Sequence, residues 1–321
     1  MKEYFGNNVT CIYLDQFAAS NLFDNPPNDL WLKISRLLLN KHQDGKVICP
    51  LPFEHLLETA NKIKENALLT DSQFHRLSNG WAFLPEANAA ANYITCTIRK
   101  LPITKTTFFG QLRYSNTLAQ KGAYDGFRAK HQLLASQVSE IAAGQNDLRK
   151  VLAQKRFPRS VMEPMFQACK LMQVQPFLDR LVELINKGQI ISQGVDFEGS
   201  SVIVWTDLLL QLLLWEHKLD YSEGHQLRDL IYQSGFDLIP PLDIRVSLTA
   251  NLAIEHKKET INDQIDIMRL SAGLPASDLL FTDKQRKFEL LQTGLAAKYQ
   301  TEIFNGTNSN LELFYERLHQ L

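Results

Sequence analysis

The chain has 321 residues, 45% of them apolar, with 34 Lys and Arg against 35 Asp and Glu and a formal net charge of −1. That length buries a sizeable core in one large or two smaller domains. The near-zero balance excludes an overall field built to hold a polyanion, so any such grip has to come from local patches.

Met1–Gly6 leads into only a short apolar run, so the expectation is a cytoplasmic protein without a secretory leader. The four cysteines, Cys11, Cys49, Cys96 and Cys169, form no C-x-x-C pair and suit a reducing compartment, as small core residues. The most apolar stretch, Ser201–Trp215, is broken by Asp207 and is shorter than the roughly 20 residues that span a bilayer. No membrane partner is expected.

Val9–Leu14 is a continuous, β-branched apolar run ended by Asp15, which suits a central strand of a parallel sheet. Gln16–Phe23 begins a helix, broken at Asp24-Asn25-Pro26-Pro27. The spacing of Leu30, Ile34, Leu37 and Leu38 predicts a helix over Asp29–Leu39. A second strand, Lys46–Cys49, and a helix over Phe53–Ala60 follow. Strand, helix, strand, helix is the start of an α/β unit. From Asn61 to Gly235 helical patterns dominate, which reads as an all-helical insertion. The α/β rhythm resumes with a strand at Phe236–Ile239, a helix over Leu242–Lys258, an acidic helix around Asp263–Leu270, and a strand at Leu279–Thr282. A helix over Lys284–Tyr299, a strand at Glu302–Phe304 and a last helix over Asn310–Leu321 complete the chain.

Several carboxylates fall where such a sheet binds ligands, beyond the carboxyl ends of its strands. Asp15 and Asp283 each end a predicted strand. Glu54 and Glu58 lie on the first turns after another, and Asp263 and Asp266 share a helix face at i and i+3. Asp278 precedes the strand that Asp283 ends. Hard oxygen ligands gathered in one cleft suit Mg²⁺ or Mn²⁺. Each acid also has a plainer reading: Asp15, Asp278 and Asp283 as caps, Asp263 as a helix-dipole partner. Asp266, between Ile265 and Ile267, is left little open surface. His55 reads as structural, since the zinc signature H-E-x-x-H is absent. Asp207 reads as a first-turn acid, and Trp205, Trp215, Leu208, Leu209, Leu212 and Leu213 as core or buried interface.

Ile12-Tyr13-Leu14-Asp15, then Cys49–Glu58, then Asp266-Ile267 with Leu280-Phe281-Thr282-Asp283 resemble the pattern of the PIN-domain and PIN-like metal-dependent nucleases. The resemblance covers about residues 9–60 and 236–305. It implies a three-layer α/β/α core with a short parallel sheet, made of 1–60 and 236–305; the helical insertion over 61–235 that interrupts it and the C-terminal helix over 306–321 are read from the residue pattern. It also implies Mg²⁺- or Mn²⁺-dependent hydrolysis of RNA, less often DNA, with Asp15, Glu58, Asp266 and Asp283 as ligands, and with Asp263, Asp278 and Glu54 as further candidates.

Cations fit for a nucleic-acid backbone are Lys284, Arg286 and Lys287 beside the acids. A second cluster, Arg149, Lys150, Lys155, Arg156 and Arg159 beside Phe157, lies in the insertion. The insertion is also the candidate surface for a protein partner or self-association. The competing expectations are a non-catalytic interaction protein on the same fold and a metal-dependent phosphatase of small molecules.

Overall fold

The computed structural model describes residues 2–24, 26–52, 55, 64–112, 132, 158–187, 194–197, 200–203, 205–255, 257 and 259–321. The protein is mixed α/β and mostly helical, with a four-stranded parallel sheet and a smaller mixed sheet among these residues. It divides into two compact units. One is Met1–Leu84, Thr104–His131 and Ala272–Leu321; the other is Pro85–Ile103 and Gln132–Ser271.

The first unit holds the parallel sheet, in the order Val47–Ile48, Thr10–Leu14, Leu279–Phe281, Glu302–Phe304. Ile12 lies opposite Leu279 and Leu280 opposite Ile303. All five residues of strand 10–14 are buried, which is why the run is apolar on both faces rather than alternating. Two helices cover one face. Asp29–Gln43 begins at Asn28, whose side chain accepts from the Leu30 and Trp31 N–H groups, and it buries Trp31, Ile34 and Leu38. Asn308–His319 buries Leu311, Phe314 and Leu318. The Phe281 ring meets both, 5.4 Å from Trp31 and 5.0 Å from Phe314. Gly273 is fixed by space: a Cβ there would fall 2.5 Å from the Tyr13 ring.

The smaller sheet runs Leu51–Pro52, Trp81–Phe83, Phe109–Gln111, with the first pair parallel and the second antiparallel. Strands 81–83 and 109–111, and the hairpin Gly194–Phe197 with Ser200–Ile203, overturn the expectation that 61–235 is all helical. The segments are only three or four residues long, too short for period-2 alternation to register.

The second unit packs around the long helix Arg159–Lys187, whose Val174, Phe177 and Leu181 share a core with Leu227, Ile231, Leu242 and Val246. Phe236–Ile239, expected as a strand, is a turn into the helix Pro240–Ile254. The two prolines sit at the helix start, where their missing N–H groups have no intrahelical partner to lose. Phe236 and Ile239 are instead buried in this core. Asp207 does stand in the first turn of a helix, Trp205–Gln211. It is almost fully buried and joined to Arg180 by Nε at 3.0 Å and Nη2 at 3.1 Å. Trp215, read as core or interface, is 65% exposed. The helix expected over Lys284–Tyr299 breaks at Gly294, whose φ of +73° ends Lys284–Gln292 before a short turn, Leu295–Lys298. No helix among the described residues is long and apolar enough to cross a membrane.

Candidate carboxylate site at the strand ends

Strands 10–14 and 279–281 are adjacent and parallel, so the residues that follow them emerge side by side at the same edge. Asp15 directly follows the first, and Asp283 follows the second after Thr282. The Asp15 N–H donates to the Phe281 carbonyl at 3.1 Å, and the Asp283 N–H donates to Asp15 Oδ2 at 3.2 Å. Asp15 is 7% exposed; Asp283 is half-buried.

Both acids also cap the helices that begin beside them. Asp15 Oδ1 accepts from the Ala18 N–H at 2.7 Å. Asp283 Oδ1 accepts from the N–H groups of Gln285 at 2.6 Å and Arg286 at 2.9 Å. These bonds hold the two carboxylates against positive helix ends, where negative charge is stabilised. Each bond takes one of the about four lone-pair sites that an ionised carboxylate offers.

Asp278 is at the opposite edge of the sheet, before strand 279–281. Its Oδ1 accepts from the Lys2 N–H at 2.8 Å and its Oδ2 from the Cys11 N–H at 2.9 Å, so it clasps the start of the chain to the first strand. Asp263 and Asp266 belong to the second unit. Asp263 is in a reciprocal cap: it accepts from the Thr260 N–H at 2.8 Å and donates its own N–H to Thr260 Oγ1 at 3.3 Å. Asp266 is 22% exposed and lies 3.9 Å from Arg269. Glu54 and Glu58 lie outside the described residues, as do Arg149, Lys150, Lys155, Arg156 and Phe157; of Arg159 only the backbone, at the start of the long helix, is described. Among the described residues no group of three His, Cys, Asp or Glu is placed to hold a metal ion.

Of the three cations after Asp283, only Lys284 is exposed. Arg286 is buried against Glu289 at 2.5 Å. Lys287 donates to the Ile303 carbonyl at 2.7 Å and to Asn310, and burial lowers its pKa. Lys287 thereby ties the helix to strand 302–304. His55 is buried, with Nε2 3.4 Å from Asp71 and its ring 4.5 Å from Phe74.

Sequence reasoning missed Lys2. Its Nζ donates to the carbonyls of Leu274 at 2.9 Å and Ser277 at 2.6 Å and to Thr301 Oγ1 at 2.9 Å. Burial pushes its pKa down to about 8, against the pull of Asp278. Nothing local marks a lysine in second position as buried. The signal is the distant Asp278, readable only once strands 10–14 and 279–281 are paired.

The chain matches no family model, no curated protein sequence and no solved structure.

Proposed function

We propose that this protein is a metal-dependent nuclease that hydrolyses phosphodiester bonds, RNA in preference to DNA, on a PIN-like three-layer α/β/α core. The observation that supports this reading is the Asp15–Asp283 pair at the carboxyl ends of two neighbouring parallel strands. The donor chemistry fits Mg²⁺ or Mn²⁺. Both are hard cations that favour oxygen, and Mg²⁺ is commonly held by one or two carboxylates with waters and substrate phosphates completing its shell.

Asp15 and Asp283 would hold the ion; Glu58 and Asp266 enter the proposal from the sequence pattern alone. Bound there, the cation supplies Lewis-acid charge and a nucleophilic water for phosphodiester hydrolysis. The chain's own part is to hold two carboxylates rigid through their capping bonds, and to offer a phosphate the exposed Lys284 in the first turn after Asp283.

One observation favours a second reading, a non-catalytic interaction protein on the same fold: each acid of the pair has a sufficient structural role as a helix cap. The two readings part on cleavage. Labelled single-stranded RNA and DNA are incubated with Mn²⁺ or Mg²⁺, comparing the native chain with Asp15→Asn, Asp283→Asn, Glu58→Gln and Asp266→Asn. The nuclease reading expects cleavage that EDTA and the Asp15 and Asp283 substitutions abolish. A native chain that cuts neither polymer overturns it.

A further inference from the structure

We propose that Phe17, with the hollow beside it, is a base-binding subsite for single-stranded nucleic acid; the proposal rests on the nuclease reading and names its substrate class. Phe17 is the second residue of the helix that Asp15 caps. The residue is 40% exposed, yet its ring is held in place. It meets Trp31 edge-on at 6.0 Å. Its tip also fills the space above Gly306, where a Cβ would fall 2.7 Å from the Phe17 Cζ. Gly306 is not among the glycines with positive φ, so glycine is required there for space and not for backbone conformation. Strand 279–281 lies between strands 10–14 and 302–304. A contact from Phe17 to Gly306 therefore passes the end of the strand that leads into Asp283. A seated but exposed aromatic ring at the edge of the acid pair is a platform for an unpaired base, because every base has a face to stack.

The hollow beside it, of about 470 Å³, is lined by Asn28, Asp29, Leu30, Asn308 and Glu312. Asn28–Leu30 directly precede Trp31 in the chain and Asn308 follows Gly306 by two residues; Trp31 and Gly306 are the residues that seat the ring. The two carboxylates that line it, Asp29 and Glu312, repel phosphate, so the hollow does not suit the nucleic-acid backbone. They accept hydrogen bonds from N–H or O–H donors, which a base edge or a ribose hydroxyl supplies. The exposed Lys284, and Lys33 on the helix that lines the hollow, are cations available for an adjoining phosphate. A duplex keeps its bases stacked inside, which confines this subsite to single strands.

The test is fluorescence anisotropy in EDTA, with a fluorescein-labelled 12-nucleotide single-stranded RNA, the matching DNA and a blunt duplex as probes. The native chain is expected to bind the single strands more tightly than the duplex. Phe17→Ala is expected to weaken that binding about tenfold or more, and Phe17→Trp to stay within about threefold. Retention by the tryptophan variant, with unchanged circular dichroism in both, separates lost stacking from lost folding. Equal binding by Phe17→Ala, no binding by the native chain, or equal affinity for the duplex overturns the proposal. Binding that depends on Phe17 with no metal-dependent cleavage would remove the nuclease reading and leave the subsite standing. Cleavage with binding indifferent to Phe17 would do the reverse.

Discussion

The main-chain N–H of Asp283 donates to Oδ2 of Asp15 at 3.2 Å, so the acid that ends one strand fixes the backbone at the end of its neighbour. The same Asp15 caps its own helix through Oδ1. Structural and chemical roles are therefore superimposed on one side chain, and substitutions have to be chosen to separate them.

Asp15→Ala removes the cap and the acceptor for Asp283, and is expected to cost about 1–2 kcal/mol in urea denaturation. Asp15→Asn keeps one capping oxygen but turns its amide nitrogen to the Asp283 N–H, and should lose less than the alanine variant, about 1 kcal/mol. Cleavage by the asparagine variant decides between the roles: activity at the native rate would leave Asp15 as a cap alone.

Lys2 makes stability depend on pH in a defined direction. Its pKa is about 8 in the fold against 10.5 ordinarily, so between those values the unfolded chain binds more protons than the folded one. Stability contributed by this group therefore rises as pH goes from about 8 towards 10.5. The difference in melting temperature between the native chain and Lys2→Met, measured at pH 7 and at pH 9.5, should shift in favour of the native chain at the higher pH. A pH-independent difference would show that burial does not perturb this amine.

Asp207 and Arg180 form a two-pronged ion pair in the second unit, with Asp207 almost fully buried. Asp207→Ala takes two hydrogen bonds from Arg180, leaves it Glu183 at 2.9 Å as a partner, and is expected to lose about 1–3 kcal/mol. The double change Arg180→Met with Asp207→Leu removes both charges and should recover much of that loss. Chemical denaturation of the three proteins measures it, and additive effects of the two changes would contradict a direct pair.

Gly273→Ala places a methyl group into the Tyr13 ring. The ring is wholly buried on a central strand and has little room to withdraw. A loss of about 1–3 kcal/mol is expected from overpacking. A melting temperature unchanged by the substitution would mean that the strand shifts freely.

The elements legible in the sequence are those with a strong local signature. Strand 10–14 is a buried run ended by a capping acid, strand 302–304 is bounded by turn residues, and helix 29–43 carries its cap in Asn28. Asp15 and Asp283 could be brought together because parallel pairing fixes where strand ends emerge. What was not legible depends on distant partners. Asp278 looks like a turn cap until Lys2 and Cys11 arrive beside it. Asp207 shows no sign of Arg180, 27 residues earlier. Phe236–Ile239 has the apolar content of a strand, but the Pro-Pro that follows starts a helix, and tertiary burial makes the segment a turn.

The sheet's two innermost strands are joined across nearly the whole chain, with Cys11 bonded to Asp278, 267 residues away. During synthesis at about 5–20 residues per second, strand 10–14 waits on the order of 13–50 s before its neighbour is made. Through that interval an apolar strand has an open edge on the side that 279–281 will fill, the kind of edge that recruits other chains. The nascent protein is thus most vulnerable at its beginning, and a ribosome that pauses in the long middle section lengthens the exposure.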